Sequence, residues 1–406
     1  MNKTVLTLKL RNTTPLLVGW YDPYKQDRVG IRVPEIKGLW RWWCRAFIAG
    51  AMYDQGMLCG REDKNVYLLP RDEELKAISC FVGKILGLGY AGKEGAESSR
   101  FRLSVKDYMN IKIVDFRKNI EYQRIKLLTL KQKIEGIYPG CIFTLNVEKV
   151  REKYKDAEDL ALKILIVFLQ LSGIGKGGRR GLGSQDIIFI EPENILGNSG
   201  KDVKKLIGQT YEDSVKIVNK YIEAVNVECK TRIEGCKQSL NKRLPPLPVI
   251  SRDKFKLFKV DSKDYRNLDF LYIHQFFVRT ERCKVLQKRS ICWDDLRKEL
   301  RAWFLGLPRK QRGTGYEILV SGVVRRPSPI FIAYHGRDNV FGQGTLISVF
   351  LSGDWPKELE WKGGDDEPKI INIDENKIKE AYEVFINEFE GYLYRRGLKL
   401  EKIMWY

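Results

Sequence analysis

The sequence predicts an α+β protein built of two tandem domains. Three observations support this prediction: apolar residues alternate in short strand-like segments, longer apolar patterns have helical spacing, and a similar order of segments recurs in the second half. A length of 406 residues suits two hydrophobic cores of ordinary size. We expect a first domain over residues 1–190, a helical connector over 191–248 and a second domain over 249–406.

The first half predicts a strand, a helix, two or three strands, a second helix and a final strand. Pro34 and Glu35 suit the first turn of the first helix, because proline presets the backbone and a carboxylate favours the positive end of a helix. This order is close to the ferredoxin-like arrangement of RNA-recognition folds. The predicted elements are, in order, 4–10, 35–52, 101–105, 111–116, 142–147, 156–171 and 186–190.

The second half repeats this theme with helical insertions. The connector contains a predicted helix at 203–225 and ends in the proline-rich stretch 245–248. Beyond it we expect a strand at 255–260, helices across 265–304 and a closing amphipathic helix at 375–394. We also expect a hairpin, with arms at 316–324 and 346–351. The class predicted is therefore α+β, with two ferredoxin-like, RRM-like domains in tandem.

The net charge is the strongest global signal. The chain has 72 Lys and Arg against 52 Asp and Glu, a formal charge of +20. Such an excess concentrates polyanions near the protein, so nucleic acid is the first candidate partner and an anionic membrane surface the second. The alternative is a thermophilic or AT-rich genome that inflates lysine usage without any nucleic-acid role.

Several other classes of protein are disfavoured. The N-terminus lacks the apolar run of a signal peptide, and the most apolar stretch, 160–171, is too short for a bilayer and contains Lys163 and Gln170. We therefore expect a buried helix there, a cytoplasmic protein and no membrane partner. The eight cysteines have no C-x-x-C spacing and there are two histidines, so we expect no zinc, no other metal and no cofactor, with reduced, packed thiols.

The first motif is a basic and aromatic helix. Lys37, Arg41 and Arg45 recur every four residues and form a stripe that could bind phosphates. Another face is apolar; it comprises Leu39, Trp43, Ala46 and Phe47. Trp40 and Trp42 cannot both lie on the core face, so one ring is available for base stacking or for a protein partner. Core packing is the alternative for each tryptophan.

The second motif is a glycine-rich loop at 173–184. Six glycines there would let backbone amides approach an anion, and the loop also carries Lys176, Arg179 and Arg180. A G-x-G-x-x-G match (Gly173, Gly175, Gly178) lies between a helix and a strand, which is the wrong context for dinucleotide binding. A Walker-like match at 87–93 is followed by Glu94, where an NTPase needs Ser or Thr. The alternative is a merely flexible loop.

The remaining candidates are weaker. Arg325 and Arg326 precede Pro327, Ser328 and Pro329 and could contact phosphates or an acidic protein surface. His274 lies in an apolar helix and is predicted to be a core histidine. His335 is predicted to lie in a loop without an evident partner, and the pair at 365–366 to be solvated in a turn. No general base stands out, so no catalytic residue is assigned.

These motifs together resemble the RAMP superfamily of CRISPR-associated proteins. The family's basic-aromatic helix start corresponds to Pro34, Ile36, Lys37, Gly38, Arg41, Trp43 and Arg45, and its glycine-rich loop to residues 175–184. The run 325–330 is similar to the Arg-Arg-x-Ser-Pro pattern of a second RAMP domain. The chain looks most like the large double-RAMP subunit of the type III-B (Cmr) effector complex. Cys44 departs from the family's usual aromatic or aliphatic residue.

The resemblance implies a non-catalytic subunit that binds guide (crRNA) and target RNA near the 3′ end of the guide, together with other Cmr subunits. The expected RNA contacts are Lys37, Arg41, Trp42, Trp43, Arg45, Gly175, Lys176, Gly177, Gly178, Arg179, Arg180, Ser184, Arg325 and Arg326. Two alternatives stay open. One is a metal-independent ribonuclease that uses His335, and the other is a scaffold that contacts only protein neighbours.

Overall fold

A computed structural model describes most of the chain. The described residues are 3–19, 21–28, 30–116, 125, 133–233, 235–236, 243–261, 268–278, 296, 299–311, 314–320, 322–323, 325–363 and 367–406. The predicted turn at 365–366, and much of the helical region predicted at 265–304, lie outside these residues.

The described residues form a mixture of strands and helices, and the long predicted elements are among them. The elements of the first half are β1 (Lys3–Asn12), α1 (Val33–Asp54), α2 (Asp72–Cys80), β2 (Tyr90–Gly92), β3 (Gly95–Glu97), β4 (Phe101–Met109), β5 (Ile113–Asp115), β6 (Glu135–Ile137), β7 (Ile142–Lys149), α3 (Lys155–Leu171), β8 (Gln185–Glu191) and α4 (Val203–Glu228). Those of the second half are β9 (Phe255–Val260), α5 (Leu268–Val278), β10 (Arg309–Gln311), β11 (Thr314–Ile318), β12 (Ile330–His335), β13 (Gly344–Phe350), β14 (Glu358–Lys362), β15 (Lys369–Asn372), α6 (Glu375–Tyr394) and β16 (Leu400–Ile403).

Each half contains a four-stranded antiparallel sheet of ferredoxin-like topology. In the first half the strand order is β4-β7-β1-β8, and in the second it is β12-β13-β9-β16. Both orders place the first strand of the unit between the third and the fourth, and a helix follows the first and the third strand. This is the β-α-β-β-α-β arrangement, so the predicted α+β class with two tandem ferredoxin-like units is confirmed.

The predicted hairpin of the second half is wrong. The strand β13 pairs with β12 and not with the segment near 316–324. That segment contributes β11, which pairs with β10 and β14 in a separate sheet of order β10-β11-β14-β15. Both candidate arms have strand-like composition, and the prolines at 327 and 329 separate them. Period-two alternation identifies a strand but does not identify its partner.

Helices α1 and α3 cover one face of the first sheet. The strand β1 alternates, so that Leu6, Leu8 and Leu10 are buried beneath these helices while intervening residues stay partly exposed. The Trp40 indole on α1 donates to the Ala161 carbonyl of α3 over 2.7 Å. The indole therefore satisfies its polar atom within the core and fixes the two helices against each other.

The protein has two hydrophobic cores, one centred on each of the two ferredoxin-like sheets. Each core also includes residues from outside the half of the chain that forms its sheet. Helix α4, from the predicted connector, contributes Tyr211 and Val218 to the first core. Leu17 and Leu182 belong to the second core, although both are in the first half of the chain. The two units are therefore interlocked through the segment that follows β1 and through the glycine-rich loop.

Two disulfide bonds contradict the prediction of reduced thiols. Cys59 bonds to Cys236, and Cys80 bonds to Cys229, across sequence separations of 177 and 149 residues. Cys44 and Cys141 are free and buried; the two remaining cysteines lie outside the described residues. Separations of this length leave no local pattern in the sequence, which is why spacing rules did not indicate the pairing.

Removal of the bridge at the end of α4 should destabilise the protein. A cross-link that closes a long loop restricts the unfolded chain, so the double substitution Cys80→Ser, Cys229→Ser is expected to lower the free energy of unfolding by about 2–4 kcal/mol. Denaturant unfolding of both proteins without reductant measures the difference. Equal stability of the two proteins under these conditions, or alkylation of Cys80 in the unreduced, unfolded wild type, would contradict the bridge.

Candidate nucleic-acid interface

The glycine-rich loop, residues 173–184, is packed tightly against itself. A Cβ atom on Gly173 would lie 1.9 Å from the Leu182 carbonyl oxygen, and one on Gly183 would lie 2.1 Å from the Ile174 carbonyl oxygen. Gly177 also has a φ of +78°, which disfavours any side chain. Close approach of the loop to its own backbone therefore accounts for these glycines without any ligand.

Several loop amides are already hydrogen-bonded within the protein. The Lys176 amide donates to the Leu17 carbonyl over 2.9 Å, and the Gly183 amide donates to the Pro15 carbonyl over 2.8 Å. The amide of Gly178 donates within the loop, to Gly175. These bonds tie the loop to the segment after β1, so the three amides are not free to bind an anion.

The three cations of the loop point to three different places. Lys176 donates to the Pro23 carbonyl and lies 4.8 Å from the centre of the Tyr24 ring. Arg179 donates over 2.6 Å to the Ser328 carbonyl of the second half. Arg180 donates to the Leu305 carbonyl. Two of the three side chains therefore bridge the two halves of the protein.

Arg179 is a desolvated cation at this junction. Its guanidinium lies 4.4 Å from the centre of the Phe331 ring and 5.3 Å from that of Trp42. The pKa of Arg179 is lowered to about 10, mainly by burial and then by the nearby charge of Arg326, against a smaller opposite effect of Asp354. Even so, Arg179 stays charged at neutral pH, and an anion placed beside it would be stabilised strongly.

The predicted stripe on α1 is present. The Arg41 Nε donates to the Leu88 carbonyl over 3.0 Å, Lys37 lies 3.5 Å from the Phe101 carbonyl, and Arg45 is exposed. Burial is the main cause of the lowered pKa values of Lys37 and Arg41, and the next cation along the stripe lowers each further. None of the three pairs with a carboxylate among the residues that the structure describes.

Trp42 is the tryptophan of α1 that is only partly buried. Trp40 and Trp43 are fully buried, and the Trp43 indole donates to the Ser172 hydroxyl over 3.2 Å. The ring of Trp42 lies 4.9 Å from that of Phe331, on the side where Arg179 covers it. Trp43 is therefore a core residue and cannot stack on a base, which corrects its assignment as an RNA contact.

Two further sequence-predicted contacts are structural. Arg326 is 4% exposed and donates to the Asp354 carboxylate over 2.8 Å and to the Ser352 hydroxyl over 3.1 Å. Ser184 is fully buried, and its hydroxyl donates to the Gly181 carbonyl over 2.8 Å. By contrast, Arg325 is exposed. The candidate interface therefore contains Arg325 but neither Arg326 nor Ser184.

We group the remaining candidates on α1 and beside it under one name, the cationic seam. Arg45 is one helical turn from both Arg41 and Trp42, so it joins the stripe to the Arg179 side of α1. Arg325 is close enough to Arg179 to lower its pKa. The seam comprises Lys37, Arg41, Arg45, Trp42, Arg179 and Arg325. Lys176, in the glycine-rich loop, is close enough to the first turn of α1 for Glu35 to act on it electrostatically.

Sequence reasoning missed an exposed aromatic and basic segment beside Lys176. Tyr21 is 81% exposed and Tyr24 is 38% exposed. Lys25 and Arg28 are exposed in the same segment. Aromatic rings interleaved with cations are typical of surfaces that bind single-stranded nucleic acid. The signal in the sequence is the interleaving of two tyrosines with Lys25 and Arg28 in the segment before α1.

Both histidines have structural partners. His274 is buried in α5, as predicted, and its Nδ1 lies 2.9 Å from the Arg180 carbonyl. The prediction for His335 is wrong: it ends β12, it is buried, and its Nε2 donates to the Gln170 carbonyl over 2.8 Å. The burial and the hydrogen bond give this ring a structural role, which weakens the ribonuclease alternative that used it as a base.

The adjacent arginines of the second half should respond differently to substitution. Arg326→Ala leaves the Asp354 carboxylate without its buried partner and is expected to destabilise the protein by about 3 kcal/mol. Arg325→Ala removes the same charge from an exposed position and should leave the unfolding midpoint nearly unchanged. Denaturant unfolding of both variants measures this, and similar midpoints would contradict the assignment.

Comparisons with known proteins agree with this architecture. Residues 9–185 match the family model of the RAMP superfamily. No curated protein sequence matches the chain. The crystal structure of Cmr1 from Pyrococcus furiosus, in its apo form, is similar over 98% of this chain and 98% of its own, with 17% identity and a TM-score of 0.51.

A second similar structure is a chain of the type III-B Cmr-beta complex bound to cognate target RNA, solved by cryo-EM. It shares 16% identity over 95% of this chain and 100% of its own, with a TM-score of 0.54. At such identities the similarity shows the fold. The segment 9–185 thus matches the RAMP superfamily model, and the chain as a whole shares the fold of Cmr1.

Proposed function

We propose that this protein is a non-catalytic, RNA-binding subunit of a type III-B CRISPR (Cmr) ribonucleoprotein of antiviral defence. It would bind guide (crRNA) and target RNA near the 3′ end of the guide and contact other Cmr subunits in the cytoplasm. The fold that the chain shares with Cmr1, and with a chain of a Cmr complex that holds target RNA, supports this assignment. None of the described helices has the length and apolar character needed to cross a bilayer.

The cationic seam is the observation that carries the proposal. It holds Arg179 partly desolvated beside Arg325. Such charges cost stability in the free protein, because burial removes hydration and like charges repel. A phosphate laid along the seam would offset that cost for Arg179 and for the Lys37–Arg41–Arg45 stripe together. Among the described residues none of the seam cations forms a salt bridge, although Asp354 acts on Arg179 from a distance, so the seam would accept an external anion.

The arrangement suits recognition of a strand through its backbone. Arginine and lysine contacts to phosphates fix register and orientation without reading the base sequence. In RNA-guided complexes, base pairing between guide and target reads the sequence. The exposed rings of Tyr21 and Tyr24 supply stacking surfaces beside the cations, and stacking tolerates any base. The seam would thus bind whichever guide the complex carries.

Substitution in the seam should reduce the salt dependence of RNA binding. Each phosphate contact to a single strand contributes about 0.7 to the slope of log affinity against log salt, so Arg45→Ala with Arg325→Ala should flatten it by about 1.4. The matched control, Lys216→Ala with Lys220→Ala, removes two exposed charges from α4, each of which faces an aspartate. Filter binding of the purified chain at several salt concentrations measures both.

The control decides between a specific surface and net charge alone. If the slope of log affinity against log salt falls equally in the seam variant and in the control variant, RNA binding depends on the overall charge of the protein and not on the seam. Absence of any RNA affinity in the purified wild type would favour the scaffold that contacts only protein neighbours.

The non-catalytic assignment has a separate test. Incubation of the full chain with repeat RNA in EDTA is expected to leave the RNA intact, because both described histidines are buried. Gel electrophoresis of the RNA reads the result. Cleavage that disappears with His335→Ala would establish the ribonuclease instead.

A further inference from the structure

A polar cavity of about 580 Å³ lies between the two halves, away from the cationic seam. Its walls come from the end of α3, the start of α4, and the ends of strands in the second sheet. Gln170, His335 and Asn339 lie in its wall and are all buried. The volume is within the range of about 300–1,000 Å³ that is typical of small-ligand sites.

A chain of hydrogen bonds fixes the orientation of the Gln170 amide. The Ile187 amide donates to Asn339 Oδ1 over 3.1 Å, which sets the Asn339 side chain. Asn339 Nδ2 then donates over 2.8 Å to Gln170 Oε1 and over 3.0 Å to the Gly342 carbonyl. Because Oε1 accepts this bond, the other end of the Gln170 amide must be the NH₂ donor.

That donor has no acceptor within the described residues. Gln170 is 0% exposed, and its Nε2 makes no hydrogen bond. A buried donor without a partner costs roughly 1–3 kcal/mol, so native proteins rarely retain one without a reason. Since Gln170 lines the cavity, an oxygen atom of a bound ligand could accept this bond.

The charge around the cavity favours an anionic ligand. Four lysines line it, against two carboxylates; they are Lys201, Lys204, Lys259, Lys402, Asp202 and Glu401. The Asp202 carboxylate is occupied, because it accepts from the amides of Lys204 and Lys205 and so caps α4. Lys204 is exposed at the rim. Lys201 pairs with Glu193 over 2.9 Å and Lys259 with Asp261 over 2.7 Å. Among the described residues, Lys204 and Lys402 are therefore the lining lysines without a salt bridge, and they lie beside a neutral, oriented donor.

We propose that this cavity binds the phosphate group of a nucleotide-sized ligand, with Gln170 Nε2 donating to a phosphate oxygen and Lys204 pairing with the charge. The ligand is either a free nucleoside monophosphate or the phosphorylated terminal nucleotide of an RNA strand, since both present the same group. The site uses none of the seam residues and stands independently of the proposed backbone contacts.

Calorimetric titration of the full chain with inorganic phosphate and with a nucleoside monophosphate tests the site. We expect saturable binding, tighter for the nucleotide. Gln170→Glu keeps the acceptor for Asn339 but replaces the donor with an acidic oxygen, so it should weaken binding at least tenfold. Lys204→Ala should weaken binding severalfold, whereas Lys205→Ala, its exposed neighbour outside the cavity lining, should not.

The outcomes separate the site from the seam and identify the source of the phosphate. The seam variant Arg45→Ala, Arg325→Ala should bind the nucleotide as the wild type does. If a linear, end-phosphorylated RNA displaces the nucleotide and a circular RNA does not, the ligand is a strand end; if neither does, it is a free nucleotide. Displacement by circular RNA, no saturable binding, or wild-type binding by both Gln170→Glu and Lys204→Ala would overturn the proposal. Should Gln170→Glu fail to fold, Lys204→Ala alone decides.

Discussion

The passage of the glycine-rich loop between the two halves is the constraint on which the rest of the structure depends. Leu182 enters the second core, while Arg179 and Arg180 donate to main-chain carbonyls of the second half. At Gly181 a Cβ would lie 2.5 Å from the Phe270 ring, so a larger residue would push α5 away. Weakening this junction would move Ser328 and Phe331 relative to α1. The part of the cationic seam that lies outside α1 would then shift away from the part on α1.

The junction also explains why structural and functional roles overlap here. A loop rich in glycine and arginine is easily interpreted as a ligand-binding loop. In this protein the glycines allow close backbone packing, and Arg180 is held at the Leu305 carbonyl. Arg179 also bonds to the second half, at the Ser328 carbonyl, but it differs from Arg180 in lying close enough to Arg325 to belong to the cationic seam. Loss of RNA binding in a loop variant therefore needs a parallel measurement of stability.

Sequence periodicity predicted the long elements well and their partners poorly. The closing helix and the strand at 255–260 agree with α6 and β9 at both ends, since strong amphipathic or alternating patterns and an Asp374 cap are local features. The sequence shows two adjacent arginines there. It does not indicate that Arg326 is buried in an ion pair while Arg325 is exposed. Contacts over 100 residues or more, such as Cys80 with Cys229 and His335 with Gln170, leave no local trace.

The antiparallel sheets have consequences for how neighbouring proteins can attach. The inner edge at β8 is covered, because the Val340 amide donates to the Ile187 carbonyl over 2.8 Å. Of the outer edges, β16 has only four residues and carries Glu401 and Lys402, and β4 breaks its register after Lys106. Short, charged or irregular edges resist the addition of a foreign strand. A protein that contacts β4, β8 or β16 would therefore have to use loops and side chains, and these three edges are poor sites for self-association by strand addition.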